Sequence, residues 1–192
     1  VTFRTLRVPG RSAVVAAAGC IGTLASPAGA VEREHHVGVD LGASMLVVGD
    51  KSSPDLGPMV GAHWTYGLTD AFNLMAEGSW SLLALNEKID SKTTPLTRPE
   101  WGATGDVGVA YVFDVLRWVP YAGLLVGGYA LGGGTIQGTR LLAGAEIEVG
   151  LDYRFNRSLC AGAAARQHML TDANTYPSFT QLFAQLEYTW GW

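Results

Sequence analysis

From Ala143 to Phe155 the chain alternates two kinds of residue for thirteen positions without a break. Ala143, Ala145, Ile147, Val149, Leu151, Tyr153 and Phe155 form one set, and Gly144, Glu146, Glu148, Gly150, Asp152 and Arg154 the other. A period of two sends successive side chains to opposite faces of an extended strand. Wound into a helix, the same run would scatter Glu146, Asp152 and Arg154 around the cylinder and leave no apolar stripe. The segment therefore reads as a strand with one apolar face and one charged or small face.

The pattern recurs. Val37, Val39, Leu41, Ala43, Met45 and Val47 alternate with His36, Gly38, Asp40, Gly42 and Ser44. Period two predicts strands at 36–48, 59–67, 72–83, 101–113, 119–131, 142–155, 159–170 and 179–192, an even count of eight. The connections alternate as well. Short links at 67–71, 114–118 and 156–158 alternate with longer polar ones at 48–58, 84–100, 132–139 and 171–178. Short turns on one rim and long loops on the other predict an all-β, eight-stranded, antiparallel up-and-down transmembrane β-barrel.

Alternation alone does not say which face meets solvent, because a soluble barrel inverts the facing of a membrane one. The aromatic residues carry that decision. Tyr66, Phe72, Tyr111, Phe113, Tyr121, Tyr153, Phe155, Trp190 and Trp192 lie beside the short turns or the C-terminus, while Trp80, Trp101, Tyr129 and Phe179 lie near the long loops. Two rings with aliphatic residues between them are expected at the two interfaces of a membrane. The polar and charged set then faces a narrow lumen: Asp40, Glu77, Asp106, Glu146, Glu148, Asp152, Arg154, Arg166, His168, Gln185 and Glu187. Eight strands enclose just enough space for such side chains to fill, provided they pair or keep water. The charge-free stretch 118–139, with Gly123 and Gly127 in a G-x-x-x-G, has a transmembrane helix as its rival reading. Its apolar part is shorter than the roughly twenty residues a helical span needs, which favours a strand with small inward residues.

Residues 1–30 form a separate unit. Arg4, Arg7 and Arg11 precede the apolar Ala13 to Ala18, and Ala28-Gly29-Ala30 supplies an A-x-A site, the pattern of a cleaved secretory signal. Residues 31–192 then constitute the barrel domain. A membrane anchor is the alternative, and a lipoprotein signal with lipid on Cys20 is a second, since Ala17-Ala18-Gly19 precedes it. Removing this unit with its three arginines leaves 10 basic against 17 acidic residues, a net of −7. That balance argues against a nucleic-acid partner, since no basic stripe remains to neutralise phosphates. Only Cys160 remains, so no intrachain disulfide is available, and it reads as a small residue packed in the barrel wall.

Three features resemble the OmpA-like family of small outer-membrane barrels. They are the Gly67-Leu68-Thr69-Asp70 turn followed by Phe72, the segment Trp118-Val119-Pro120-Tyr121-Ala122-Gly123, and the terminal alternation Leu186, Tyr188, Trp190, Trp192. The resemblance implies residence in the outer membrane, with membrane lipid and lipopolysaccharide as surroundings. It also implies that the barrel assembly machinery reads the terminal alternation as its signal. It leaves function open, since the family holds adhesins, structural anchors, small pores and some enzymes. The chain ends with the last predicted strand, so a cell-wall-binding domain and anchoring to peptidoglycan are not expected.

The sequence offers no catalytic set, cofactor motif or metal-ligand spacing. The sharpest enzymatic reading is a lipid A acyl hydrolase with His168 as base. Deacylase barrels resemble one another around His-x-Ser-Asn, whereas His168-Met169-Leu170 has leucine at the serine position. His168 reads instead as a lumen residue pairing with Glu187 or Glu148. His35 and His36 are adjacent and point to opposite faces, which suits no shared metal, and they read as residues of the strand mouth without a role. His63 reads as a solitary lumen residue. Asp50 and Asp55 read as loop acids exposed to water, or loosely binding calcium. The glycines 132–134 precede a polar loop and form no phosphate cradle. The leading expectation is a structural or surface-interaction barrel with a plugged polar lumen and an unidentified loop ligand. A small cation-preferring pore and a lipid A hydrolase are the alternatives.

Overall fold

The computed structural model describes residues 33–49, 54–83, 97–113 and 117–191. The proposed signal at 1–30, Cys20, Asp50 and Trp192 lie outside them. Eight strands run in order: β1 His35–Val47, β2 Asp55–Gly67, β3 Phe72–Leu82, β4 Trp101–Val112, β5 Trp118–Gly132, β6 Thr139–Arg154, β7 Leu159–Leu170 and β8 Ser178–Trp190. Each pairs antiparallel with its sequence neighbours, and β8 pairs with β1 to close the barrel. Closure satisfies the backbone of every strand on both sides and leaves no edge, which is what a strand needs in a medium without water.

Side-chain chemistry holds the short turns. Thr69 Oγ1 accepts from the Phe72 amide at 3.0 Å, and Asn156 Oδ1 accepts from the Ser158 and Leu159 amides at 2.8 and 3.0 Å. The charge-free stretch is strand β5, hydrogen-bonded to β4 and β6 along its length. Two strands extend further toward the long loops than their periodicity indicates. β6 starts at Thr139, where Thr139 pairs with Gly132. β2 starts at Asp55, and its first four residues are concealed in the sequence by Gly57 and Pro58, residues that ordinarily mark a strand's end.

The facing is that of a membrane barrel. Val37, Leu41, Leu124, Val126, Leu141 and Leu182 are exposed on the outer surface, while Asp40, Glu146, Glu148 and Arg166 are buried inside. An apolar band that encircles the molecule far exceeds the patches a soluble monomer presents to water. With a charged interior and an apolar exterior, the stable environment for the band is lipid.

At the rim carrying the short turns, the expected aromatic girdle is present. Trp64 and Tyr66, Phe72 with Tyr111 and Phe113, Trp118 with Tyr153 and Phe155, and Tyr188 with Trp190 form neighbouring ring contacts, and His35 stacks on Trp190 at 5.4 Å. Three aromatics expected in the girdles belong elsewhere: Tyr121, Tyr129 and Phe179 are buried in the lumen. β5 has no charged face from which its parity could be read, so the inward set Val119, Tyr121, Gly123, Leu125, Gly127, Tyr129, Leu131 combines large residues with glycine. The space for the two tyrosine rings is supplied by β6. A methyl group on Gly150 would overlap the Tyr121 ring, and one on Gly144 would press on Tyr129.

Candidate functional site: the lumen charge network

Inward parity on β1, β3, β4, β6, β7 and β8 brings the sequence-predicted polar residues into one interior. Asp40, Glu77, Asp106, Glu146, Glu148, Asp152, Arg166, His168, Gln185 and Glu187 are all buried, and Arg154 is half-buried at the short-turn rim. The lumen has three layers along its axis.

Nearest the long loops is an apolar layer formed by Leu46, Val48, Leu83, Tyr129, Leu131, Leu170, Tyr176 and Phe179. Hydrogen bonds between loops cover it. Tyr176 Oη donates to Thr97 O at 2.7 Å, Thr135 N to Arg98 O at 3.0 Å, and Gly49 N to Thr175 O at 2.8 Å. Burial pushes the Tyr176 hydroxyl further above physiological pH than its ordinary value already lies. Arg98 Nε donates to Asp55 Oδ2 at 3.1 Å, and its Nη2 makes a second short contact with the other oxygen. Asp55 is therefore no solvated loop acid. It is a buried strand residue in a bidentate ion pair, and neither its partner in a distant loop nor its burial was visible in local sequence.

The middle layer is built around Arg166 on β7. Its Nε lies 2.7 Å from Glu148 Oε2 and 3.5 Å from Glu146 Oε1; its Nη2 lies 2.9 Å from Glu77 Oε2 and 3.1 Å from Asp40 Oδ2. The guanidinium carbon also sits 4.1 Å from the centroid of the Phe183 ring. A planar five-donor cation can serve several carboxylates at once, which a lysine cannot match in geometry. Ser79, Ser81, Thr104 and Gln181 add a neutral hydrogen-bonded group beside it.

From Asp40 a chain of alternating charges descends to the short-turn rim. Asp40 Oδ1 is 2.8 Å from His63 Nδ1, and His63 Nε2 is 3.2 Å from Glu187 Oε1. Glu187 Oε2 is 3.1 Å from His36 Nδ1, His36 Nε2 is 3.6 Å from Glu34, and Glu34 is 3.8 Å from Arg154. His63 is thus not solitary. An imidazole that donates to carboxylates from both nitrogens carries a positive charge. His36 likewise has a role, while His35 on the opposite face stacks in the girdle. The sequence hid this because His63 pairs with residues on β1 and β8, 23 and 124 positions away. Beside the chain, Tyr121 Oη donates to Glu148 at 2.6 Å and Gln185 Nε2 donates to Asp152. A cavity of about 40 Å³, enough for a few waters, lies between these groups and the apolar wall of Met75, Val112 and Val119.

His168 pairs with neither Glu187 nor Glu148. Its Nδ1 is 3.1 Å from Glu146 Oε2 and 3.2 Å from the Tyr129 hydroxyl, and its ring stacks on Phe179 at 4.8 Å. Glu146 and His168 are register partners on β6 and β7, so their side chains project inward together. Two triads have donor atoms within 4.8 Å of one another, Asp106 with Glu146 and His168, and Glu77 with Glu146 and Glu148. Sequence spacing could not reveal either, because the members come from different strands. Cys160 is buried and unoxidised, 4.0 Å from Thr189 Oγ1.

Among the described residues, then, eight buried carboxylates share the interior with Arg166, Arg98, three imidazoles and the rim residue Arg154, inside a closed antiparallel barrel whose exterior is apolar. These features define a small eight-stranded transmembrane β-barrel of the outer-membrane type. Among solved structures, the chain is similar to the N-terminal β-barrel domain of Pseudomonas aeruginosa OprF, at 13% identity and a TM-score of 0.58, covering 83% of this chain and 98% of that one. It is similar also to Neisserial surface protein A, at 14% identity and a TM-score of 0.61 over 84% of this chain and 99% of that one. Ail, the attachment invasion locus protein of Yersinia pestis, matches at 11% identity and a TM-score of 0.57 over 83% and 99%. At these identities the likeness is one of fold. No family model and no curated protein sequence matches the chain.

Proposed function

We propose that the protein is an outer-membrane barrel with a structural or surface-interaction role, whose lumen is closed by its own side chains and whose long loops meet the environment. The observation that carries this reading is Arg166, joined at 2.7–3.5 Å to carboxylates from β1, β3 and β6 across the middle of the lumen. The apolar layer above it adds a second barrier to ions. Surface interaction accords with the name of Ail, an attachment protein solved in complex with a heparin analogue. Outer-membrane lipid and lipopolysaccharide would surround the apolar band. The assembly machinery would read Leu186, Tyr188, Trp190 and Trp192, of which the first three point outward on β8.

Purified protein in planar bilayers tests the proposal. The expected result is no steady conductance; sustained ion-selective openings would overturn it in favour of a small cation-preferring pore. That alternative draws its support from the excess of carboxylates over cations in the lumen. The lipid A hydrolase reading draws none from the geometry around His168, which is fully enclosed by Tyr129, Glu146 and Phe179. Mass spectrometry of lipid A from cells with and without the gene checks it, and an acyl-chain difference abolished by His168→Ala would restore it.

A further inference from the structure

The triad of Asp106, Glu146 and His168 stands just beneath the apolar layer, on β4, β6 and β7. Relative exposures of 2%, 0% and 1% place all three out of reach of bulk water. Burying two carboxylates side by side is costly unless a cation or hydrogen bonds compensate them. The compensation present is partial. Arg166 approaches Glu146 only at 3.5 Å, while it engages Glu148, Glu77 and Asp40 more closely, and His168 Nδ1 lies 3.1 Å from Glu146 Oε2 as an ion-pair contact without hydrogen-bond geometry. Asp106 Oδ2, both oxygens of Glu146 and His168 Nε2 have no hydrogen-bond partner. The groups are nevertheless held in place. The Tyr129 hydroxyl donates to Asp106 Oδ1 at 2.8 Å and faces His168 Nδ1 at 3.2 Å, and the His168 ring is packed against Phe179.

We infer that this triad is a binding site for a divalent transition-metal ion of the zinc class. One donor from each of the three residues lies within 4.8 Å of the other two. A tetrahedral zinc site with bonds of about 2.1 Å needs its donors roughly 3.4 Å apart, which small rotations of the two carboxylates supply. The ion would neutralise a negative charge that is only partly compensated and leave its fourth position for water. One imidazole with two carboxylates selects zinc, iron, nickel or manganese over calcium, which takes six to eight oxygens, and over magnesium, which keeps several waters. Tyr129 is the outer residue that orients Asp106 and His168, as hydrogen-bonded partners do around bound metals. The second triad, with Glu77 and Glu148, is the poorer site because Arg166 lies against both of those carboxylates. The enclosing layer implies that the ion enters as the barrel folds.

The test is to refold the purified full-length protein in detergent with Zn²⁺ or, separately, Ca²⁺, pass it into metal-free buffer, and measure retained metal. The expected result is one zinc per chain and no retained calcium. Asp106→Asn with Glu146→Gln, which keeps the shapes of the side chains, should lower zinc retention at least tenfold. Asp152→Asn, a buried acid outside the triad, should retain it. The heat-dependent shift in gel mobility reports folding for each protein. Should the double variant not fold, X-ray absorption on the zinc-loaded parent decides, the expected shell being one imidazole nitrogen with oxygen donors. No stoichiometric zinc in the parent, undiminished zinc in the folded double variant, equal retention of calcium, or a shell without nitrogen would each overturn the inference.

Discussion

Arg166→Gln tests the lumen network at its centre. The side chain is 1% exposed and its two donor nitrogens Nε and Nη2 lie within 3.5 Å of oxygens from Asp40, Glu77, Glu146 and Glu148. Glutamine removes the charge and leaves those carboxylates facing one another. Breaking a buried ion pair by deleting one partner costs about 3–5 kcal/mol, because the remaining charge has lost its compensation. Removing one acid is a different perturbation. After Glu148→Gln the guanidinium still faces Asp40, Glu77 and Glu146, and the amide oxygen of the new side chain still accepts a hydrogen bond. That change should cost under about 1.5 kcal/mol, the range of one ordinary hydrogen bond. The double variant should be more stable than the sum of the two effects implies, with a coupling of about 1–3 kcal/mol. Reversible urea unfolding from lipid vesicles, followed by tryptophan fluorescence, measures all three. If Arg166→Gln stays within about 1 kcal/mol of the parent, or Glu148→Gln costs as much as Arg166→Gln, then Arg166 is not the hub of the interior and the reasoning fails.

Adjacent residues on β5 should respond in opposite ways. Leu124 is 64% exposed on the lipid face and Leu125 is 2% exposed in the lumen. Leu124→Arg should therefore cost about 2–4 kcal/mol in vesicles, and a lipid-borne quencher should reach a fluorophore placed at 124 but not at 125. Gly150→Val should destabilise by about 1–3 kcal/mol by driving its side chain into the Tyr121 ring, whereas Gly105→Ala, with nothing within 4 Å of the new methyl, should be neutral in the same unfolding assay. The His36 imidazole, 3.6 Å away, holds the Glu34 carboxyl below its ordinary 4.5 against the opposing effect of burial, with Arg154 adding to it. Its contribution is thus complete above that ordinary value and lost as pH falls through the lowered one, so Glu34→Gln should flatten the acid limb of a stability–pH profile; an unchanged limb would refute the contact.

Much of the candidate site was legible as facing and little of it as pairing. Wherever a strand carries charge on one side, as β1 and β6 do, period two separates the buried side chains from the exposed ones, because one register shift would exchange the two faces entirely. Where no charge marks a face, parity is silent: Tyr121 and Tyr129 in β5, expected at the membrane interface, line the lumen. Gly57 and Pro58 conceal the first residues of β2, and with them the burial of Asp55 against Arg98. His168 illustrates the remaining gap: its inward direction followed from alternation, but its partners Glu146 and Tyr129 did not.

By itself the sequence determined the number of strands, their antiparallel order and, on the charged strands, which side chains share the interior, since these depend on local periodicity and loop length. Only the tertiary structure decided who meets whom there. Closing β8 onto β1 brings Glu187 to His36 across 151 positions and sets Arg166 beside Asp40 across 126. Such partners are fixed by barrel stagger and by the space that glycines leave for larger neighbours. Those are properties of the closed sheet, and no strand carries them alone.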